Sequence, residues 1–254
     1  VGDVIRITLA DGSIHEHTAT ADGRHVELHA GGARSSIDLA GRIDASVHDS
    51  VAASREAPPR PPPIELPSDG RVVKIALGEP HYRRSEQGWT EAGAPTASVS
   101  LGWCAPTLTV SIDVPNSART FAPSDATNAY DNEHPDINGD GVQLYLQTGQ
   151  GESAWMLVPD AASSAVRVRQ LDDWSSPQPI RARWRPTVSG YELTADLETQ
   201  SPPLALDVVV NEMPRDRARR RGQLVLSGAR GEFVYLRGDR HDRWRLVPLR
   251  IRNA

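Results

Sequence analysis

The sequence predicts an all-β protein, an antiparallel β-sandwich preceded by a small β-meander. Along most of the 254 residues, apolar side chains recur with period two, which is the spacing of a half-buried strand. The segments are short, 20 Gly and 20 Pro residues punctuate the chain, and no long helical pattern occurs. About a dozen such strands without a long helix are typical of a sandwich. The lack of a fixed-period repeat argues against a propeller or a solenoid.

Residues 1–44 predict the meander. Asp-Gly and Gly-Gly pairs, which are hairpin turn signals, separate four strand patterns at residues 4–9, 13–18, 24–30 and 35–39. Roughly forty residues bury too little apolar surface to be stable alone. We therefore expect the meander to be the end of an upstream domain, in a chain that begins at Val1 and is part of a longer protein.

Residues 45–68 predict a Pro-rich linker or strap. Val47 and Val51 stand at helical spacing and allow one short helix. Residues 57–63, Ala-Pro-Pro-Arg-Pro-Pro-Pro, predict a stiff extended segment that cannot join a central sheet.

Residues 69–254 predict the sandwich. Period-two segments bounded by Gly, Pro and Asn continue to the C-terminus. The predicted strands are 71–75, 96–103, 107–114, 142–146, 155–158, 165–169, 181–185, 191–197, 204–211, 223–227, 232–237 and 244–251.

Composition excludes several classes of protein. No apolar run reaches the ~18 residues of a membrane helix, and the single cysteine, Cys104, excludes an internal disulfide framework. The net charge is −5, and Lys74 is the only lysine among 28 basic residues, which fits the codon usage of a GC-rich bacterial genome. Residues 214–252 hold 12 arginines. This cluster predicts either a binding surface for an anionic polysaccharide or a solvated loop. The acidic total argues against nucleic acid as a partner.

Four segments beyond residue 69 occur in the order of a known family. They are Thr107-Leu-Thr-Val-Ser-Ile-Asp-Val114, Asn138-Gly-Asp-Gly-Val-Gln-Leu-Tyr-Leu146, Gly190-Tyr-Glu-Leu-Thr-Ala-Asp-Leu197 and Leu204-Ala-Leu-Asp-Val-Val-Val-Asn-Glu212. Together they resemble the family 9 carbohydrate-binding modules and the wider group of DOMON-like sandwiches. The resemblance implies a jelly-roll-like sandwich with sugar binding at one end and structural calcium in some members.

The resemblance also implies particular sugar contacts. Gln143 stands where the family has a sugar-contacting Glu. The two aromatic clamp positions of the family fall near Ile137 and near residues 237–239, and neither place holds an aromatic residue.

Aromatic residues in loops offer a different sugar platform. Trp174 lies in a predicted loop next to Asp172 and Asp173, whose carboxylates could bond sugar hydroxyls, and Tyr235 is a lesser candidate. The alternative is that Trp174 packs against the edge of the sandwich.

The segment 131–141 is the densest group of oxygen ligands. The pattern Asp136-x-Asn138-x-Asp140-Gly matches the first half of a calcium loop, and Asp131 or Glu133 could complete it. No Glu follows at the EF-hand spacing, and an Asx-rich turn is the alternative.

Histidines alternate along the meander. His15 and His17 share one strand face, and His25, Glu27 and His29 share another. If the strands pair suitably, these side chains predict a Zn²⁺ or Ni²⁺ site; a solvent-facing polar surface is the favoured alternative.

The sequence as a whole predicts a non-catalytic carbohydrate-binding-like module. We expect it to be the C-terminal part of a secreted or periplasmic polysaccharide-active protein, such as a glycoside hydrolase or polysaccharide lyase. Its partners would be a poly- or oligosaccharide and the other domains of that chain. One alternative is a haem-binding DOMON-like redox domain, with Met156, Met213, Lys74 or histidines as ligands. Another is a glycan-active enzyme fragment using acidic pairs such as Asp207 and Glu212.

Overall fold

A computed structural model gives the architecture of the chain. It describes residues 61–252 apart from 117, 130–132, 172–173, 175–177, 216, 230–231 and 237–240, together with the backbone of four strands near the N-terminus. The chain divides into two compact units, Val1–Pro59 and Arg60–Ala254.

The first unit contains two antiparallel hairpins, where the sequence predicts four short strands. The hairpins are β1 with β2 and β3 with β4, and the strands are β1 (Val4–Thr8), β2 (Ile14–Thr18), β3 (His25–Ala30) and β4 (Ala33–Asp38). The predicted short helix near Val47 and Val51 lies outside the described residues.

The second unit is built from strands. Its described residues form β5 (Ile64–Pro67), β6 (Val73–Leu77), β7 (Tyr82–Arg84), β8 (Ala97–Cys104), β9 (Thr107–Val114), β10 (Gly141–Thr148), β11 (Gly151–Pro159), β12 (Val166–Gln170), β13 (Ile180–Pro186), β14 (Tyr191–Glu198), β15 (Pro203–Glu212), β16 (Gly222–Val225) and β17 (Val247–Arg252). The helices described there are single 3₁₀ turns of three or four residues, and none has the length or apolar character to cross a bilayer.

The strands form two sheets that pack as a sandwich. The larger sheet has the order β12-β11-β10-β15-β16-β7, with β17 also pairing with β15 and β5 pairing with β17. The smaller sheet has the order β13-β14-β9-β8-β6. All of these pairs are antiparallel except β5 with β17. The predicted all-β antiparallel sandwich is confirmed.

The main core lies between the sheets. Strand β9 alternates strictly, so that Leu108, Val110 and Ile112 are fully buried while the residues between them are half-exposed. Leu144 and Val208 meet this layer from the larger sheet. The smaller sheet therefore has one buried and one solvent-facing side, as its period-two sequence predicts.

The larger sheet is buried on both sides. Nearly every residue of β10 and β15 is buried, and the side away from the main core carries a second apolar cluster that includes Tyr145, Met156 and Val209. The continuous Val-Val-Val of β15 is the sequence sign of this, because a strand covered on both faces needs apolar residues at successive positions.

Three parts of the prediction differ from the structure. Ile64–Pro67, placed in the linker, is a strand at the sheet edge, and Tyr82–Arg84 is a strand too short to show a pattern. The predicted strand 232–237 contains a 3₁₀ turn at Val234–Leu236 instead. Edge and three-residue strands expose too few alternating positions to be read from sequence.

Gly190 offers a test of the packing between β14 and the turn after β9. A Cβ atom there would lie 2.0 Å from the Val114 carbonyl oxygen and 2.4 Å from the Asn116 amide nitrogen. We expect Gly190→Ala to lower the free energy of unfolding by about 1–3 kcal/mol, because the backbone must move. Urea denaturation measures this.

The control for this variant is Gly78→Ala. The added Cβ at Gly78 meets nothing within 4 Å, so we expect little change. Equal stability of the two variants would show that the turn after β9 moves freely.

Candidate functional site

Four strand ends meet at one end of the sandwich. In the smaller sheet the end of β9 pairs with the start of β14, since Val114 is opposite Tyr191. In the larger sheet the start of β10 pairs with the end of β15, since Gly141 is opposite Asn211. These strands carry the four segments on which the family resemblance rests, and antiparallel pairing brings their Asp140, Gly190 and Glu212 positions to the same end.

Asp140 links the segments that meet there. Its carboxylate accepts hydrogen bonds from Asn116 Nδ2 at 3.1 and 3.0 Å, from the Thr120 amide at 2.6 Å and from the Met213 amide at 2.9 Å. The side chain is fully buried. One residue of the larger sheet thereby holds the turn after β9 and the chain that follows β15.

Burial dominates the electrostatics of Asp140. It raises the pKa of this carboxyl from 3.8 to about 7, against the lowering effect of the Met213 and Thr120 amides, and the nearby Glu212 charge raises the pKa further. Tyr191 lies beside it; burial first and the Asp140 charge second raise the pKa of its phenol. Asp140 is enclosed by protein donors, so the contacts that it makes are structural.

A cavity of about 430 Å³ opens beside this junction. Its polar lining includes Asn116 after β9, Asn211 and Glu212 at the end of β15, and Arg221 before β16. The apolar lining includes Pro95, Val114 and Leu224. A concave site of this size, apolar with a few convergent polar groups, is the usual form of a small-ligand site.

Glu212 and Arg221 are the charged groups of the cavity. Arg221 donates to Glu212 Oε1. The other carboxylate oxygen, Oε2, and the hydroxyl of Tyr82 are buried beside each other. Burial and then the Glu212 charge raise the pKa of Tyr82.

The oxygen ligands of the predicted calcium loop are already used by protein donors. The Asp136 carboxylate accepts hydrogen bonds from Nε and Nη2 of Arg169, at 2.7 and 2.8 Å. Asn138 Oδ1 accepts from the Arg220 backbone amide and guanidinium. Asp131 lies outside the described residues, and Glu133 is half-buried.

These residues do not form a cradle for a cation in this arrangement. Asp136, Asn138 and Asp140 each face a different protein donor, and no group of three or more His, Cys, Asp or Glu among the described residues could hold a metal. Calcium binding stays a prediction. The Gly-Asp-Gly sequence has a packing reason, because a Cβ at Gly139 would lie 2.5 Å from the Ala122 amide nitrogen, and at Gly141 2.8 Å from Met156.

Trp174 is covered in this structure. It is 3% exposed, packs in the second apolar cluster against Tyr145 with ring centroids 5.1 Å apart, and has the Arg243 guanidinium over its ring. Its burial matches the alternative in which the ring packs on the sandwich. Asp172 and Asp173 lie outside the described residues.

The other predicted sugar contacts also have protein partners. Gln143 is 2% exposed and accepts from the Tyr145 hydroxyl at 2.8 Å. The Tyr235 hydroxyl donates to the Arg220 carbonyl, and the Arg219 guanidinium lies 3.9 Å from its ring centroid. Ile137, at one clamp position, is fully buried. These residues form the covered side of the larger sheet and are not brought together around an open site.

Among the residues that the structure describes, no site supports the redox or metal alternatives. Met156 is fully buried in the second apolar cluster, and Lys74 lies on the exposed side of the other sheet. The histidine side chains of the meander lie outside the described part of the chain.

Asn116 and Arg221 were not predicted as site residues. Glu212 appeared only as one of several acidic pairs. The sequence does contain an indication of this site, because two predicted strands end in polar residues. These ends are Val114-Pro-Asn116 and Asn211-Glu212. Arg221 is one of many arginines, and only the pairing of β15 with β16 brings it to Glu212.

No family model matches, and no curated protein matches significantly. Among solved structures, a family 9 carbohydrate-binding module from Caldicellulosiruptor kristjanssonii, in complex with cellotriose, aligns with 75% of this chain and 94% of its own length. The sequence identity is 14% and the TM-score is 0.49.

The raised pKa of Asp140 predicts a pH-dependent stability. Between about pH 4 and 7 the folded state keeps a proton that the unfolded state releases, so this group makes stability fall as pH rises, by at most about 1.4 kcal/mol per pH unit. Asp140→Asn cannot titrate. We expect the stability difference between wild type and this variant to shrink from pH 4.5 to 7, as measured by urea denaturation.

Asp113→Asn, at a half-exposed carboxylate of β9, is the matched control. A difference between wild type and Asp140→Asn that stays constant over the same pH range would contradict the assignment.

Proposed function

We propose that the sandwich is a non-catalytic carbohydrate-binding module that takes a sugar unit in the cavity beside Glu212 and Arg221. The observation that carries the proposal is the Glu212–Arg221 ion pair, both of whose residues line a cavity of about 430 Å³. A carboxylate that accepts and a guanidinium that donates, side by side, are complementary to neighbouring hydroxyl groups.

The walls of the cavity support the same ligand class. Pro95, Val114 and Leu224 offer apolar surface for the C–H groups of a sugar ring, and Asn116 adds an amide at the rim. The cavity holds no aromatic ring among its lining residues, so we expect weak binding that depends on hydrogen bonds. The four segments that resemble family 9 modules end at this cavity, and the resemblance also implies binding at one end of the sandwich.

The parent protein of the module is the second part of what we propose. We propose that it belongs to a secreted or periplasmic polysaccharide-active protein and holds that protein near its substrate. The acidic pair Asp207 and Glu212 does not support an enzyme, because Asp207 is fully buried and bonded to His241 at 2.8 Å, on the covered side of the larger sheet.

Glu212→Gln tests the cavity. The variant keeps the size of the side chain and removes the charge that pairs with Arg221. We expect the affinity for an oligosaccharide to fall about 10- to 100-fold, the equivalent of one charged hydrogen bond. Affinity electrophoresis on hydroxyethylcellulose, glucomannan, xylan, dextran and pectin would find the polymer, and calorimetry with its oligosaccharides would measure the change.

Glu65→Gln is the matched control, because Glu65 is also paired with an arginine, Arg252, but lies on the edge strand β5. Retention of the wild type on none of these polymers would contradict the proposal, as would an unchanged affinity of Glu212→Gln. Release of reducing sugar or unsaturated product from the same polymers would overturn its non-catalytic part.

A further inference from the structure

The solvent-facing side of the smaller sheet is an ordered polar surface. Cross-strand pairing aligns Lys74 with Ser100 and Ser100 with Ser111, and in the next row it aligns Ser98 with Asp113. These residues alternate with the buried residues of β6, β8 and β9, so their side chains project away from the core.

Small side chains in the middle of this surface leave a furrow. Two hollows of about 580 and 250 Å³ adjoin, since both are lined by Ser100 and Ser111. The first extends to Val188 and the second to Val72. Along β8 the furrow covers Ser98 to Cys104, which at about 3.4 Å per residue is roughly 20 Å.

One border of the furrow is occupied by ion pairs. Arg183 bonds Asp196 at 2.5 Å and Arg185 bonds Glu192 at 2.5 Å, both between the edge strand β13 and β14. Thr109 in turn donates to Asp196 at 2.8 Å. Because the charges on this border are paired with one another, they contribute little net electrostatic potential over the furrow.

The interior of the furrow contrasts with that border. Among the described residues, the side chains of Lys74, Ser98, Ser100 and Asp113 make no hydrogen bond or ion pair, although all four line the larger hollow. Lys74 is the only lysine of the chain. Among its described lining residues, the furrow therefore presents one free cation, one free carboxylate and free hydroxyl groups in the same or adjacent rows.

The apolar residues at the two ends add to this surface. Val72 is 65% exposed and Val188 is fully exposed, and both are among the few large apolar side chains that the described chain leaves in solvent. A ligand that lies along the furrow can cover both of them.

We propose that this furrow is a second binding site, for an extended stretch of a neutral polysaccharide. A neutral chain is favoured because the free charges of Lys74 and Asp113 balance. A hydroxyl-rich chain is favoured because each free group donates to or accepts from a hydroxyl. A peptide adding to the sheet would need an edge strand, whereas β8 and β9 are paired on both sides. This inference rests on the carbohydrate class proposed for the module, but on different residues.

Lys74 gives a direct probe of the furrow. Acetylation by an amine-reactive ester, mapped by peptide mass spectrometry, follows this one side chain, and the α-amino group of the chain is the internal control. With hydroxyethylcellulose, glucomannan, xylan or dextran, whichever retains the protein in affinity electrophoresis, we expect Lys74 to react at least fivefold more slowly. The rate at the α-amino group should stay unchanged.

Ser100→Ile tests the site without removing the probe. A β-branched residue suits the strand and fills the furrow floor, so we expect the affinity for the polymer to fall at least tenfold while Tm stays close to that of wild type. Ser124→Ile, at an exposed loop residue, is the matched control. Pectin, an anionic polymer, should protect Lys74 less than the neutral polymer does.

The outcomes separate the two sites. Protection of Lys74 in Glu212→Gln as in wild type supports the furrow even if the cavity binds nothing. The proposed furrow site would be overturned if Lys74 reacted at an unchanged rate in the presence of a retained neutral polymer. It would also be overturned if Ser100→Ile bound the polymer with wild-type affinity, or if pectin protected Lys74 more strongly than the neutral polymer does. Retention on no neutral polymer would overturn the furrow, and retention on none of the five polymers, pectin included, would overturn the cavity as well.

Discussion

The carboxylate of Asp140 is the interaction on which this end of the sandwich depends. It accepts from a side chain in the smaller sheet's turn and from two backbone amides in other segments, at a position with no access to water. Removing such an acceptor leaves the buried Met213 amide without a partner, at a cost of about 1–3 kcal/mol, and also frees the half-buried Thr120 amide and Asn116 side chain. The walls of the cavity beside Asn116 and Glu212 are therefore fixed by a residue that does not line the cavity.

The two sheets have different roles because they are buried differently. Loops cover the outer side of the larger sheet, where the polar residues bond to one another: Arg83 donates to Gln223 and Gln223 to Asn211, each at 2.8 Å. The same kinds of side chain that bind sugars elsewhere thus serve here to seat loops on a sheet. The smaller sheet keeps its outer side open, so its polar groups remain available to a ligand.

The sequence predicts the sheet architecture better than the site. Strict alternation in β9 and the continuous apolar run in β15 distinguish a one-sided from a two-sided strand, and the structure agrees. Site residues are harder to predict, because a side chain can contact a ligand only if no other part of the chain covers it. Trp174 and Gln143 are of the right chemical type, but both are buried, and Trp174 lies under Arg243, a residue distant in sequence. Arg221 acquires its role only through strand pairing, which a single sequence does not specify.

The arginines of β13 have a consequence for association between molecules. An edge strand with unpaired backbone groups invites another chain to extend the sheet. Here Arg181, Arg183 and Arg185 recur at every second position, and the strand ends at Pro186, which has no amide hydrogen to donate. Such an edge resists the growth of sheets between copies at high concentration.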